Sequence, residues 1–224
     1  MRVVGIDACR KGWIAVVLDR DRPAQGRFLT DLDAFADAVG EVEAVGIDIP
    51  IGLPATGRRR ADEEARQLLG PRRNSVFLTP PQEVLTAPTH AEASARSRAL
   101  SDHGISRQAY ALGPKILQAE TFAADTHVPV REVHPEVAFT LLLGRPARWA
   151  KSTWAGLEER RAALCGEGID LTDIGGAGGM AAPDDVVDAA VVAFSARRLA
   201  RGEARCWPDP PEPGPDGTPM AIWA

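Results

Sequence analysis

Two short apolar runs open the chain, Arg2 to Asp7 (RVVGID) and Gly12 to Leu18 (GWIAVVL), separated by the polar turn Ala8-Cys9-Arg10-Lys11. Runs of this length, bounded by turn residues, read as two strands of a hairpin. A third short strand covers Gly26 to Leu29. Asp31 then caps a helix in which Leu32, Phe35, Ala36 and Val39 recur at helical spacing, and Gly40 stops it. Glu43 to Ile49 (EAVGIDI) is the next strand, closed by Pro50, which has no N–H to continue a ladder. The opening order is therefore β-β-β-α-β.

From Gly52 to about Asp125 the pattern turns helical and rich in Arg, Ala, Glu and Gln, broken at Pro54, Pro71, Pro80, Pro81, Pro88 and Pro114. Thr89 and Glu92 have capping-box spacing, which starts a helix there. The stretch 54–125 reads as a helical insertion within a single domain spanning 1–224. Val128 to His134 returns to strand character, Pro135 opens a helix through Val137, Phe139 and Leu142, and Lys151 to Cys165 has the pattern of another amphipathic helix. Gly175 to Gly179 (GGAGG) is expected to hold no regular element and to be mobile, and Pro183 starts a long helix to about Arg201. Trp207 to Pro219 is proline-rich and expected to be extended, followed by Met220-Ala221-Ile222-Trp223, an apolar run suited to docking as an edge strand. The fold class is α/β with a mixed sheet, in the order β-β-β-α-β-α-β-α, and a helical insertion after the fourth strand.

Composition narrows the picture. At 224 residues and 45% hydrophobic content the chain can bury a substantial core. No stretch approaches the roughly 18 apolar residues of a membrane span, and the first residues lack a signal-peptide pattern, so a cytoplasmic protein without membrane attachment is expected. Cys9, Cys165 and Cys206 are too scattered for a zinc pattern or a disulfide framework and read as buried thiols. The formal charge of −5 argues against non-specific coating of nucleic acid, which needs many Lys and Arg contacts, while leaving room for a local basic patch.

The chemistry concentrates on aspartates. Gly5-Ile6-Asp7 and Gly46-Ile47-Asp48 end two strands in the same way, and adjacent parallel strands of an open sheet deliver such residues to one carboxyl-end crevice, where ligands bind. The last helix adds Asp184, Asp185 and Asp188, of which Asp185 and Asp188 share a helix face. Convergent carboxylates repel one another unless cations lie among them, and oxygen ligands suit Mg²⁺ or Mn²⁺. Two such ions about 4 Å apart can activate water and stabilise the leaving oxygen of a phosphodiester. Each aspartate also has a plainer reading, as a turn former at a strand end or an acid favoured by a helix dipole.

This arrangement resembles the ribonuclease H-like superfamily, in which acids on the first strand, the fourth strand and the last helix carry the metals. The resemblance implies Asp7, Asp48, Asp185 and Asp188 as ligands. At the level of pattern, the final helix with two acids three residues apart is also similar to that of Holliday-junction resolvases. A closer resemblance covers nearly the whole chain. GIDACRKGW (Gly5 to Trp13), GIDIPIGLP (Gly46 to Pro54), ADEEARQLLGPRRNSVF (Ala61 to Phe77), ALGPKILQAE (Ala111 to Glu120), REVHPEVAF (Arg131 to Phe139), DDVVDA (Asp184 to Ala189) and MAIW are similar to the predicted RNase H-like nucleases of domain of unknown function 429. The activity this implies rests on fold.

Glu132, His134 and Glu136 surround the strand-to-helix junction REVHPE. One glutamate is expected to join the cluster and His134 to position water or a phosphate; the alternative is a helix-start acid beside a structural histidine. Arg10, Lys11, Arg72 and Lys115 are candidate phosphate contacts, with Ser75 and Lys151 weaker ones, although charged runs are usually solvated surface. Arg58, Arg59, Arg60 and Arg73 add positive charge to the insertion. Trp13 and Phe77 read as core before base-stacking platforms. The leading expectation is a metal-dependent nuclease or phosphodiesterase. The alternatives are a protein that binds or hydrolyses a nucleotide or small phosphorylated metabolite, or a binding module that kept the fold without turnover. A sugar-kinase or actin-like fold shares the opening order but lacks its phosphate-loop signals here.

Overall fold

A computed structural model describes residues 1–20 and 22–224. Its contacts divide the chain into two compact units, one of Met1–Ile49, Asp125–Arg205 and Trp223–Ala224, the other of Pro50–Ala124 and Cys206–Ile222. The stretch expected as an insertion lies, apart from Asp125, in the second unit, which also takes in the proline-rich segment.

In chain order the elements are β1 (Arg2–Cys9), β2 (Gly12–Asp19), β3 (Gln25–Leu29), α1 (Phe35–Val39), β4 (Ala44–Asp48), α2 (Arg60–Leu69), α3 (Gln82–Leu85), α4 (His90–Ser101), α5 (Arg107–Ala111), α6 (Gly113–Asp125), β5 (Val130–Glu132), α7 (Pro135–Leu143), α8 (Trp154–Gly166), α9 (Pro183–Ala200), β6 (Cys206–Pro213) and β7 (Pro219–Trp223). Short 3-10 turns cover Leu32–Ala34, Gly70–Ser75 and Gly176–Met180.

The first unit is built on a mixed five-stranded sheet in the order β3-β2-β1-β4-β5. β1 and β2 are antiparallel with Cys9 opposite Gly12, which leaves Arg10 and Lys11 as the turn. β4 runs parallel to β1, and β5 parallel to β4. Asp31 accepts the Ala34 N–H at 3.2 Å as the expected cap, although the first turn it starts is 3-10 and α1 follows from Phe35. The apolar runs become core, with Val4, Ile6, Ile14, Val16, Val45 and Ile47 all fully buried. The long helix α9 packs on β1, β4 and β2, and its Ala189, Ala190, Ala193 and Ala196 have no exposed surface. Small side chains on the helix let its axis come close to the sheet.

Several sequence boundaries move. The strand expected over 128–134 is reduced to Val130–Glu132, and Val133 adds only an isolated parallel bridge to Trp223. The helix expected from Lys151 starts at Trp154, because the Thr153 hydroxyl accepts the Gly156 N–H at 3.1 Å and fixes the cap there. Lys151 consequently lies in the preceding turn. The glycine-rich stretch, expected to hold no regular element, forms the 3-10 turn Gly176–Met180 packed against β3. Cys9 and Cys206 are buried as expected, but Cys165, near the end of α8, is exposed.

In the second unit, the proline-rich segment is a strand after all: β6 pairs with β7 in a two-stranded sheet. Each strand of such a pair keeps one edge free of ladder bonds, which is where prolines are tolerated. Thr89 caps α4, its hydroxyl accepting the Glu92 N–H at 3.2 Å. A buried ion pair anchors the start of α2. Arg59 donates to Asp62 at 2.6 Å and to the Ile51 carbonyl at 3.0 Å, and Asp62 accepts the Thr79 N–H at 2.7 Å.

Candidate metal centre

Gly-Ile-Asp recurs because three adjacent positions have three different tasks. Gly5 pairs with Gly46, Ile6 with Ile47 and Asp7 with Asp48 across the parallel β1–β4 ladder. Alternation puts the isoleucines on one face and the glycines and aspartates on the other. That second face carries α9: a Cβ at Gly5 would lie 2.2 Å from the Ala189 carbonyl oxygen, and one at Gly46 would lie 2.8 Å from the Val192 carbonyl oxygen. The absence of side chains there seats the helix on the strands and brings Asp188 to the two strand-end carboxylates. Asp7, Asp48 and Asp188 each offer an oxygen, and the three oxygens lie within 4.8 Å of one another.

Asp7 and Asp188 are buried and Asp48 is half-buried. Burial is the main force on all three. It raises Asp7 well above the ordinary aspartate range, with the charges of Asp48, Asp188 and Asp185 adding to the effect and Lys151 opposing it. Asp48 is raised in the same way, by burial and then by Asp188, against Lys151 and a side-chain hydrogen bond with Asp7. Asp188 is pushed up to about 6 by burial, opposed by Lys151 and helped by the charge of Glu136. Carboxylates that cannot all ionise without help are what a cation site contains when the cation's charge is left out. The donor set is all oxygen and acidic, so this buried triad can bind a metal ion.

Lys151 is the internal counter-charge. Its ammonium donates to Asp188 at 2.6 Å and lies 3.8 Å from Asp184. Burial works against that charge, but Asp188, Asp7 and Asp48 together hold the lysine above its ordinary value. Behind Asp188, Glu136 forms a buried ion pair with Arg160, whose guanidinium also donates to the carbonyls of Trp149 at 3.1 Å and Gly156 at 3.0 Å.

The other expected residues divide. Asp185 is partly exposed at the start of α9, where its carboxylate accepts the Ala182 N–H at 3.3 Å, and its charge reaches Asp7. Glu136 is buried next to the cluster, but one of its oxygens is committed to Arg160. Glu132 is buried on β5, beside β4, and its charge acts on Asp48. His134 caps α7 through its backbone carbonyl, which accepts the Ala138 N–H at 3.0 Å. Arg10 and Lys11 are exposed in the β1–β2 turn. Arg72, in the 3-10 turn Gly70–Ser75, and Lys115, in α6, belong to the second unit. Trp13 is core, as read.

Sequence reasoning ranked Lys151 low and missed Arg160 altogether. Lys151 reaches the site from the turn before α8 and Arg160 from the middle of that helix, across a distance in sequence that no local pattern reports.

Among the described residues no helix is long and apolar enough to cross a membrane. No curated protein and no solved structure matches the chain. A family model described as "Protein of unknown function (DUF429)" matches residues 5–213, a span that includes all three aspartates of the cluster, Lys151 and Arg160, and the chain belongs to that family.

Proposed function

We propose that the protein is a metal-dependent phosphodiesterase of ribonuclease H-like architecture, acting on nucleic acid with Mg²⁺ or Mn²⁺. The observation that carries this reading is the convergence of Asp7, Asp48 and Asp188, with oxygens within 4.8 Å of one another, from the first strand, the fourth strand and the last long helix of a mixed sheet. Divalent ions, when bound, supply the charge that activates water and stabilises a leaving oxygen in phosphodiester cleavage.

The chain's own residues account for the rest. Asp7, Asp48 and Asp188 provide the oxygen donors, and Asp185 adds negative charge at the rim. The Glu136–Arg160 pair fixes the wall behind Asp188, so that Glu136 acts on the site through its charge. His134, two residues before Glu136 at the start of α7, is the histidine assigned to hold water or phosphate. Arg10 and Lys11 offer exposed positive charge at the end of β1 that bears Asp7.

The formal charge of −5 favours a second reading, in which the site takes a small phosphorylated ligand or nucleotide instead of a polymer. One experiment separates the two. The purified protein is incubated with labelled single-stranded, duplex, hybrid and branched substrates and with phosphorylated small molecules in Mg²⁺ or Mn²⁺. Polymer cleavage abolished by Asp7→Asn and by Asp48→Asn is the expected result. Cleavage indifferent to both substitutions overturns the site, and turnover of small phosphates alone moves the assignment to the second reading.

A further inference from the structure

Among the described residues only three large apolar side chains stand exposed: Trp149 at 55%, Trp154 at 73% and Met180 at 50%. The two tryptophans flank Lys151, the residue whose ammonium sits on Asp188. A tryptophan buries more apolar area than any other side chain when it can, so two tryptophans more than half exposed within six residues call for an explanation.

The backbone that carries them is closely held. The Trp149 N–H donates to Glu159 at 3.3 Å, and its carbonyl accepts from the buried Arg160 at 3.1 Å. The Ala150 carbonyl accepts both the Thr153 N–H, at 3.0 Å, and the Thr153 hydroxyl, at 2.7 Å. Gly156 lets α8 close against this turn, since a Cβ there would lie 2.0 Å from the Ala150 carbonyl oxygen. The segment thus has fixed main-chain bonds on both sides of each indole and leaves the rings in water, which is how a ligand platform is built.

Charge selects the ligand. Residues 145–154 (RPARWAKSTW) carry three cations, Arg145, Arg148 and Lys151, and no acid, in a chain whose net charge is −5. Arg145 is engaged by Glu159 at 2.7 Å and Lys151 by Asp188 at 2.6 Å, which leaves the exposed Arg148 as the cation the segment offers outward. Cations interleaved with aromatic rings fit a polyanion whose units also have flat faces. At a chain reach of about 3.5 Å per residue, the Cα atoms of Trp149 and Trp154, two and three residues from Lys151, lie within roughly 11 Å of its Cα.

We infer that Arg148 to Trp154 is a base-stacking platform for single-stranded nucleic acid, with Trp149 and Trp154 each stacking an unpaired base while Arg148 meets the phosphate backbone beside the aspartate cluster. This rests on the phosphodiesterase reading and narrows its substrate to strands with accessible bases. Duplexes, whose bases are stacked internally, have no face to offer the indoles.

The test uses fluorescein-labelled twelve-nucleotide single strands of RNA and of DNA, the matching duplex, a mononucleotide, and anionic phosphatidylserine vesicles. Ca²⁺ replaces Mg²⁺ to separate binding from turnover. The expected result is single-strand binding with quenching of tryptophan fluorescence, weakened about tenfold by Trp149→Ala and by Trp154→Ala, and by more when both are changed. Replacement of either by Phe should restore most of the affinity, and because both rings are exposed the melting temperature should be unchanged. Single-strand affinity that ignores both alanine substitutions, equal affinity for mononucleotide and twelve-mer, or binding only to duplex or vesicles overturns the platform. Cleavage that persists while binding ignores the tryptophans removes this inference and leaves the phosphodiesterase reading intact. Tryptophan-dependent binding without cleavage in Mg²⁺ or Mn²⁺ does the reverse.

Discussion

Gly5 and Ala193 meet with no room between them: a Cβ on Gly5 would lie 2.0 Å from the Ala193 backbone nitrogen. The contact is backbone against backbone, so neither side can swing away, and the distance between β1 and α9 sets where Asp188 arrives relative to Asp7. Gly5→Ala should therefore destabilise the fold by about 3 kcal/mol, at the upper end of ordinary overpacking costs. Gly57, with φ +73 and nothing within 4 Å, is the control. Its change to Ala costs only the left-handed backbone penalty of about 1 kcal/mol. Chemical denaturation of the two variants checks the contrast, and equal losses would remove the argument for helix seating.

A second expectation concerns pH. Asp188 is pushed up to about 6, from 3.8, chiefly by burial. Between those values the folded protein keeps a proton that the unfolded chain has released, so stability is greatest at the acid end of the window and falls as pH rises through it. For this group the loss is on the order of 3 kcal/mol. Asp7 and Asp48 shift in the same direction, so the cluster titrates as a unit. In EDTA, Asp188→Asn should gain on the parent protein as pH is raised from about 4 to about 7, and Mn²⁺ should reduce the gap by stabilising the ionised parent. A gap that is independent of pH contradicts the assigned shift.

Lys151 shares Asp188 with any incoming cation. Opposite charges at about 4 Å interact by roughly 4 kcal/mol where the effective dielectric constant is near 20, and like charges repel by as much. Lys151→Met should therefore tighten Mn²⁺ binding by at least about tenfold, measured by calorimetric titration. Unchanged or weaker binding would show that the ammonium contributes to the ion's site instead of competing with it.

The Arg59–Asp62 pair is buried, with 0% and 1% of the side chains exposed. Asp62→Ala leaves a guanidinium without its carboxylate and the Thr79 N–H without its acceptor, at a cost of about 3 kcal/mol or more. The melting temperature reports it directly. A loss below about 1 kcal/mol would mean that water replaces the aspartate.

What the sequence disclosed follows from how local each signal is. Asp7 and Asp48 were legible because strand alternation and a duplicated Gly-Ile-Asp ending are patterns within a few residues, and Asp188 because Pro183 marks a helix start five residues earlier. The reason for the glycines was not legible, since it lies in the approach of α9, more than 130 residues further on. Lys151 looked like the first residue of a helix, and only the Thr153 cap, two residues later, frees it to reach Asp188. Glu136 stood out as an acid beside a histidine, but its pairing with Arg160 depends on how α7 meets α8, which no spacing encodes. The strand β6 was hidden by its own prolines, which argue against a ladder everywhere except at an edge.

The central claim is that Asp7, Asp48 and Asp188 form a divalent-cation site. Crystals soaked in Mn²⁺ and measured at the manganese absorption edge test it most directly. The expected result is an anomalous peak between the three carboxylates, absent in Asp188→Asn. A peak elsewhere, or none at this position while the three side chains remain in place, contradicts it.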